Sequence, residues 1–555
     1  MDVALAAAGE HVEVAVLDAP DAGSRPPEVH RVPWSGLAEH ALALEERSPR
    51  WVWASTDAFY PVLLGRGVRV GRCQDLRACH AILARSTYAS AASGLVDDPR
   101  WASQGPSREA DEPTLLDDAG PDDGVDLAGV VEQHRVQQEA VRESVHPARL
   151  RLLLAAESAG ALAGAELTHV GLPFDATEHE RLLLDLLGPR PPVGRRPAAM
   201  EALVDQVRDA LGVPALNPDS APDLLRALRS AGLDTTSTRQ RELELIDHPV
   251  VAPLLEYKKL ARLHGANGWS WLSTWVAGGR FRPGYVPSGV VTGRWAARGG
   301  GALQLPKQVR AAVVADPGTV LVVADAAQLE PRVLAAMARD DAMAAASRRG
   351  DLYQALVDDG VVDTRAHAKV AMLGALYGAT SGESGRLLPR LVRSYPAATA
   401  YVEAAARAGE AGEVVTTWLG RSSPAPDEAW QEAQRWAALP EADPDERRAA
   451  RTSAREQGRF TRNFVVQGTA AEWALCWLAD LRRTLTELGE VDGRSARLVY
   501  FLHDEVIVEA PDALAAAVEE AVRRSARRAG QLLFGSYGVE FPLDVRAVRR
   551  YADAG

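Results

Sequence analysis

Two acidic positions follow apolar, strand-like runs that lie far apart in the chain. In the segment VLVVADAAQLEPR five of the first six residues are apolar, and Asp325 falls at or near the end of the predicted strand. In RLVYFLHDEVIVEAP two apolar runs flank His503, Asp504 and Glu505, which predicts a β-hairpin with its acids at the tip. Taken alone, Asp325 is better explained as a helix N-cap and the second segment as a solvated acidic turn. Together they favour a divalent-cation site, because an unpaired buried carboxylate is costly.

A third segment repeats four side chains at helical spacing. In RAHAKVAMLGALYG the residues Arg365, Lys369, Leu373 and Tyr377 recur every four positions. Since each residue turns an α-helix by about 100°, these side chains share one broad face. Two cations, an apolar side chain and an aromatic ring suit a nucleotide, because the charges can pair with phosphates and the flat surface can pack on a base.

These groups need elements that hold them in place. After Asp325 the segment AAQLEPRVLAAMARD has apolar residues at helical spacing. The predicted strand therefore turns directly into a helix and leaves the carboxylate at the junction. From residue 150 to about residue 263 the pattern is also helical, which by itself indicates a plain helical bundle.

The three segments together resemble the motifs of family A DNA polymerases. The family's DYSQIELR stands here as Asp325-Ala-Ala-Gln-Leu-Glu-Pro-Arg332, its R-x3-K-x3-F-G-x2-Y-G as the segment from Arg365 to Gly378, and its HDE as His503-Asp504-Glu505. Three motifs in the right order are far more specific than any one of them. Further matches extend over roughly residues 150 to 555.

The resemblance implies a multidomain α/β fold, a right-hand polymerase with palm, fingers and thumb that follows an exonuclease-like α/β domain. The implied domains are the exonuclease-like domain at 1–148, the thumb at 149–280, the first part of the palm at 281–332, the fingers at 333–469 and the second part of the palm at 470–555. The length of 555 residues fits three or four domains.

The resemblance also implies a role for each matching residue. Two Mg²⁺ ions, with Mn²⁺ as an alternative, would be held by Asp325, Asp504 and the carbonyl of Ala326, and Glu505 would support that metal site. Lys369 would donate a proton to the leaving group. The implied nucleotide-binding residues are Arg365, Lys369, Leu373, Tyr377, Gln328, Glu330 and Tyr353. The implied DNA-binding residues are Arg294, Arg459, Asn463, Gln467 and His503.

The implied function is template-directed transfer of deoxynucleotides from dNTPs to a primer 3′-hydroxyl, in DNA replication or repair. Several positions depart from the family: Ala326 and Ala327 replace Tyr-Ser, Leu373 replaces Phe or Tyr, and Tyr353 replaces a histidine that meets the incoming phosphates. A single-subunit RNA polymerase and a non-catalytic DNA-binding scaffold remain as alternatives. Glu330 and the Thr-Gly-Arg element that contains Arg294 favour DNA over RNA synthesis.

The first 148 residues occupy the place of the family's 3′–5′ exonuclease, with strand-like pieces at residues 11–17 and 51–53. The family places an Asp-x-Glu pair on the first strand, whereas VAVLDAPDAG offers Asp18 and Asp21 at the wrong spacing. Phe59 aligns with the next carboxylate, and Asp57 is close but would point elsewhere. We expect an exonuclease-like scaffold without proofreading and no preceding 5′-nuclease domain; a polymerase that retains the exonuclease is the alternative.

Composition indicates the cellular compartment and the kinds of partner to expect. Three cysteines give neither a disulfide framework nor a plausible zinc set, so a reducing cytoplasm is expected. No signal peptide or long apolar run is present, which predicts a soluble protein with no membrane partner. The net charge of −13 argues against a wholly basic DNA wrapper but leaves room for a local basic groove. We expect a monomer that binds primer–template DNA and dNTPs.

Overall fold

The structure is a computed structural model that describes residues 1–17, 28–89, 95, 98–101, 124–298, 305–378 and 382–555. Asp18 and Asp21 lie outside the described residues. The chain divides into two compact units. The first unit comprises Met1–Val170, Tyr285–Ala297 and Val322–Ala547, and the second comprises Gly171–Gly284, Arg298–Leu321 and Val548–Gly555. The predicted domain boundaries stay predictions.

The first unit begins with a five-stranded sheet in the order β3-β2-β1-β4-β5. Its strands are β1 (Asp2–Ala8), β2 (His11–Leu17), β3 (Val29–Pro33), β4 (Arg50–Trp53) and β5 (Arg72–Asp75). Its helices are α1 (Leu37–Glu45), α2 (Thr56–Gly65), α3 (Leu76–Leu83), α4 (Leu127–Glu143) and α5 (Pro147–Val170). Strand β1 pairs antiparallel with β2 and parallel with β4, so the sheet is mixed.

The strand predicted as the first one, at residues 11–17, is the second strand of this sheet. The true first strand is β1, with the sequence DVALAAA. Alanine has weak strand propensity, and this run lacks the β-branched alternation that marks β2. Its residues from Val3 to Ala6 are buried nonetheless, because the strand lies in the middle of the sheet.

The second unit is largely helical. Its main elements are β6 (Leu172–Pro173), α6 (Ala176–Leu187), α7 (Ala198–Leu211), α8 (Ala221–Ser230), α9 (Gln240–Leu243), α10 (Val251–Asn267), α11 (Trp269–Trp275), β7 (Val276–Ala277) and β8 (Arg280–Phe281). The three short strands form a sheet in the order β6-β8-β7. Strands β9 (Gly284–Val286) and β10 (Ala296–Arg298), most of whose residues belong to the first unit, form a two-stranded ribbon.

A four-stranded sheet in the order β14-β15-β11-β16 carries the acidic segments of the first unit. Its strands are β11 (Thr319–Ala326), β14 (Arg497–Leu502), β15 (Glu505–Pro511) and β16 (Leu543–Val548), while β12 (Glu490–Val491) and β13 (Arg494–Ser495) form a small hairpin. Strands β14 and β15 pair antiparallel, with Leu502 opposite Glu505. This confirms the predicted hairpin, with His503 and Asp504 in its turn.

Helices fill the rest of the first unit. They are α12 (Leu329–Ala338), α13 (Asp341–Arg348), α14 (Leu352–Asp358), α15 (Arg365–Tyr377), α16 (Gly382–Ser394), α17 (Pro396–Glu410), α18 (Glu428–Ala437), α19 (Pro444–Glu487) and α20 (Ala515–Phe534). Helix α19 has 44 residues and starts at a capping box formed by Asp443 and Glu446. Helix α15 begins after the N-cap Thr364 and ends at Gly378, whose φ of 70° suits a glycine.

A buried ion cluster ties α19 to the first 170 residues. The guanidinium of Arg482 donates to Glu166 at 2.6 Å and to the carbonyl of Gly71 at 2.8 Å. Arg69 also pairs with Glu166, at 2.9 Å, and Tyr60 donates its hydroxyl to the same carboxylate. The positive neighbours lower the pKa of Glu166 to about 2, although its burial acts in the opposite direction.

None of the helices in the described part of the chain is both long enough and apolar enough to span a lipid bilayer.

Candidate active site

The fold brings the two predicted metal aspartates together. Strand β15 lies beside β11, and the backbone N–H of Ala326 donates to the carbonyl of Asp504 at 2.8 Å. His503 takes a φ of 53°, which allows the tight turn that presents Asp504. Burial and the negative charge of Asp325 raise the pKa of Asp504 to about 7. Two carboxyl groups therefore crowd one place, where a proton or a cation is needed for neutrality.

The predicted nucleotide face of α15 lines the same cavity as these aspartates. Arg365, Lys369, Leu373 and Tyr377 all contribute to it, so the four residues share one face as predicted. The cavity has a volume of about 790 Å³, which is within the range of ligand sites. Other predicted residues that line it are Asp325, Asp504, Gln328, Glu330, Tyr353, Arg294 and His503.

Glu330 is held by two partners inside this cavity. It accepts hydrogen bonds from the hydroxyl of Tyr377 and from the guanidinium of Arg294. Burial, followed by the charge and hydrogen bond of Glu330, raises the pKa of Tyr377. The contacts join three elements that are distant in sequence, and they fix the glutamate at the wall of the cavity.

Asp351 organises another part of the wall. As the N-cap of α14 it accepts hydrogen bonds from the backbone N–H groups of Tyr353 at 2.8 Å and Gln354 at 3.1 Å. The side-chain amide of Gln328 donates to it at 2.6 Å, and Nε of Arg365 donates at 2.7 Å. Sequence reasoning gave this aspartate no role, although it is only two residues from Tyr353.

Five predicted residues do not line the cavity: Ala326, Glu505, Arg459, Asn463 and Gln467. Within residues 461–478, which are all described, Asn463 and Gln467 are the only ones that are not buried. Gln467 hydrogen-bonds Tyr377, and the side chain of Arg459 lies beside Gly378. Two of the predicted DNA-binding residues of α19, Arg459 and Gln467, thus lie near the C-terminal end of α15.

Several cavity residues were missed by sequence reasoning. Trp295, Phe501, Pro542, Leu543 and Asp544 line the cavity without belonging to a quoted motif position. Trp295 directly follows the Thr-Gly-Arg element and Phe501 lies two residues before His503, so proximity to those motifs was an available signal. Residues 542–544 follow the HDE motif by about forty positions, and no spacing marks them.

Phe59 and the nearby Asp75 have structural roles, and Asp57 is exposed to solvent. Phe59 is fully buried and stacks on Trp34 and Trp53, with ring centroids 5.8 Å and 6.2 Å away. Asp57 is exposed on α2. Asp75 caps α3 and accepts hydrogen bonds from two backbone N–H groups, at 3.0 Å and 2.7 Å. Over the described ranges, no group of three or more His, Cys, Asp or Glu residues is placed to hold a metal ion.

Comparisons with known proteins agree with this geometry. A sequence model described as DNA polymerase family A matches residues 198–551. DNA polymerase I of Chloroflexus aurantiacus is 28% identical over 323 residues, which are 52% of this chain and 31% of that protein. The thermostable DNA polymerase I of Thermus aquaticus is 27% identical over 373 residues, which are 61% of this chain and 39% of that protein. The chain therefore matches between about a third and two fifths of these relatives' length.

A solved structure shows the same fold. It is described as "POL domain of Pol1 from M. smegmatis complex with DNA primer-template and dNTP", and it superposes with a TM-score of 0.68 over 100% of this chain and 96% of that one, at 19% identity. The predicted α/β polymerase fold is thereby confirmed. With 354 matched residues out of 555, counted from 198 through 551, this chain belongs to DNA polymerase family A.

Proposed function

We propose that this chain is a template-directed DNA polymerase that adds deoxynucleotides from dNTPs to a primer 3′-hydroxyl. The observation that carries the proposal is the convergence of Asp325, Asp504, Arg365 and Lys369 on one cavity. The primer–template and dNTP in the structurally similar polymerase domain are the partners we propose for this one. We further propose that it works as a monomer in replication or repair, in a reducing cytoplasm that suits its free cysteines.

The carboxylate pair fits a divalent cation. The raised pKa of Asp504 reflects burial beside a second negative charge, which a cation would neutralise. Asp325, Asp504 and the carbonyl of Ala326 would hold Mg²⁺, or Mn²⁺ in its place, and Glu505 would support them. Bound there, the metal supplies the charge that activates a primer hydroxyl and stabilises a departing pyrophosphate.

The remaining residues of the cavity position the substrate. Arg365 and Lys369 would neutralise the triphosphate, and Lys369 would give a proton to the leaving oxygen. Glu330, fixed by Tyr377 and Arg294, would close the space beside the sugar 2′-carbon and so favour deoxynucleotides. His503, Arg459, Asn463 and Gln467 would contact the primer and template strands.

We propose that the N-terminal sheet has no proofreading activity. Strand β1, the first strand, reads DVALAAA and carries no Asp-x-Glu pair. The position aligned with the next carboxylate is Phe59, a core residue. Asp75 already caps a helix, and its pKa is raised to about 6 by burial. These surroundings support a scaffold rather than a two-metal nuclease centre.

Primer extension tests the proposal. With a labelled primer–template, Mg²⁺ and dNTPs, the wild type should extend the primer, and Asp504→Ala should lower the rate by at least about a thousandfold, because one of the two metal carboxylates is lost. In a lane without dNTPs the primer should stay intact.

Asp185→Asn serves as the matched control, since this aspartate is 63% exposed on α6. It should extend primers like the wild type. Failure of the wild type to extend would overturn the polymerase proposal, and primer shortening that survives Asp504→Ala would overturn the proposed absence of proofreading. Preference for NTPs over dNTPs would instead favour an RNA polymerase.

A further inference from the structure

We propose that the Asp351-Leu352-Tyr353 element acts on the nucleotide through Arg365. Asp351 is a positioning residue that aims the guanidinium, and the ring of Tyr353 supports it. The inference rests on the proposed polymerase function and gives a role to a tyrosine that departs from the family's histidine.

The carboxylate of Asp351 is held in one orientation. Its Oδ1 accepts three hydrogen bonds, from Nε2 of Gln328 at 2.6 Å and from the backbone N–H groups of Tyr353 at 2.8 Å and Gln354 at 3.1 Å. Gln328 is itself fixed, because its Oε1 accepts from the backbone N–H of Leu352 at 2.8 Å. Since Oδ1 is saturated, Oδ2 points to Arg365 in a defined direction.

Arg365 is bound through the inner part of its guanidinium. Nε donates to Oδ2 of Asp351 at 2.7 Å, and Cζ lies 5.5 Å from the ring centroid of Tyr353. Among the described residues the two terminal nitrogens have no hydrogen-bond partner, and the side chain is 55% exposed. The terminal N–H fork, which is the part that binds phosphate bidentately, therefore stays available at the cavity.

In this arrangement Asp351 can orient Arg365 without competing with a phosphate for the terminal nitrogens of the guanidinium. A phosphate that binds the terminal fork does not need to displace a carboxylate that binds Nε. Gln328 follows Asp325 by three residues and takes a φ of 56° at the start of α12. Through Asp351, the side chain of Gln328 thus links the guanidinium of Arg365 to the end of the strand that carries Asp325. It helps to set the distance between that guanidinium and the metal-site carboxylates.

A double-mutant cycle tests the inference. Asp351→Asn keeps an oxygen that can cap α14 and accept from Gln328, but it removes the negative charge that aims Arg365. The KM for dATP in single-nucleotide incorporation should rise about tenfold, whereas kcat should stay within about twofold. In an Arg365→Gln background the same change should have almost no further effect, because the residue through which it acts is gone.

Variants of Tyr353 separate the ring from the hydroxyl. Tyr353→Ala should raise KM by about three- to fivefold, and Tyr353→Phe should raise it less, since the ring remains under the guanidinium. Asp427→Asn is the matched control, because Asp427 caps α18 and lies outside the cavity. Thermal unfolding of each variant checks that the caps are kept.

The dissociation constant of fluorescent mant-dATP with Mg²⁺ provides a readout that does not need turnover. If the wild type binds mant-dATP but does not extend primers, the polymerase proposal fails, and the same cycle measured as dissociation constants of mant-dATP still tests positioning. A lower KM or dissociation constant in Asp351→Asn would show competition and overturn the inference, as would additivity with Arg365→Gln. A wild type that neither binds nor extends would overturn both proposals.

Discussion

The ionised form of Asp504 is disfavoured, because the fold holds its carboxyl group beside Asp325 and partly away from water. Its ordinary pKa of 3.8 is raised to about 7 by burial and by the neighbouring charge. Between these two values the unfolded chain loses a proton that the metal-free fold retains. The metal-free fold must therefore lose stability as the pH rises through this interval, and the loss is complete above about pH 7.

We predict that the metal-free protein unfolds at a lower temperature at about pH 8 than at about pH 5, and that Mg²⁺ restores stability mainly at the higher pH. Asp504→Asn should remove the Mg²⁺ effect and the part of the pH dependence that Asp504 contributes. The rest comes from Asp75 and Glu472, whose pKa values burial raises to about 6 and about 7. At about pH 8 it should raise the free energy of unfolding by about 2–4 kcal/mol. Thermal unfolding with a chelator and with Mg²⁺ measures each case.

The exposed Asp185→Asn variant is the control for this titration and should follow the wild-type profile. A wild-type profile that already matches that of Asp504→Asn would show that the two carboxyl groups do not interact as the geometry indicates.

At the scale of elements, α17 and α19 pack closely because glycine lies at their contact. A side chain added at Gly409 would meet Thr461 and, at 2.8 Å, the carbonyl of Gln457. A β-carbon at Gly458 would meet the carbonyl of Ala406 at 2.9 Å. The two helices can approach only where side chains are absent, and this contact supports the α19 segment that carries Asn463 and Gln467.

Gly409→Ala should lower the stability of the first unit by about 1–3 kcal/mol, because the added methyl group forces the helices apart. The midpoint of thermal unfolding measures the change. Gly265→Ala is the matched control on α10, where the new methyl group meets no atom within 4 Å. That substitution should be neutral or stabilising by up to about 1 kcal/mol. Equal loss in both variants would rule out the packing explanation.

The elements that sequence reasoning predicted well are those whose residue spacing sets one face apart from the others. The four-residue spacing of α15 and the paired apolar runs around His503 both predicted the observed geometry. Strand β1 escaped notice because four of its seven residues are alanine, which favours helices and has weak strand propensity. Asp351 escaped because its partner Arg365 is 14 residues away, and only tertiary structure brings them together.

At the scale of the whole molecule, the N-terminal sheet is part of the first unit rather than an appendage. Arg482, on α19, is 5% exposed and contacts Glu166, Tyr60 and the carbonyl groups of Val70 and Gly71. Removing one member of a buried ion cluster leaves an uncompensated charge. The N-terminal sheet and α19 should consequently unfold together.

Arg482→Met should destabilise the protein by about 3–5 kcal/mol and expose both the N-terminal sheet and α19 to protease at the same temperature. Limited proteolysis across a temperature series, with the fragments identified by mass, measures this. Arg483→Met is the control, because the neighbouring arginine is 53% exposed and pairs with the helix residues Asp480 and Glu487. Release of the sheet while α19 stays protected would contradict the coupling.

Phe59 bears on the history of the chain as well as on its present fold. An aspartate at this position would place a charge between Trp34 and Trp53 in a fully buried aromatic core, and it would damage folding before it could help any nuclease chemistry. Selection for a stable fold therefore opposes the single substitution Phe59→Asp, and a carboxylate here would require changes in the aromatic rings around it.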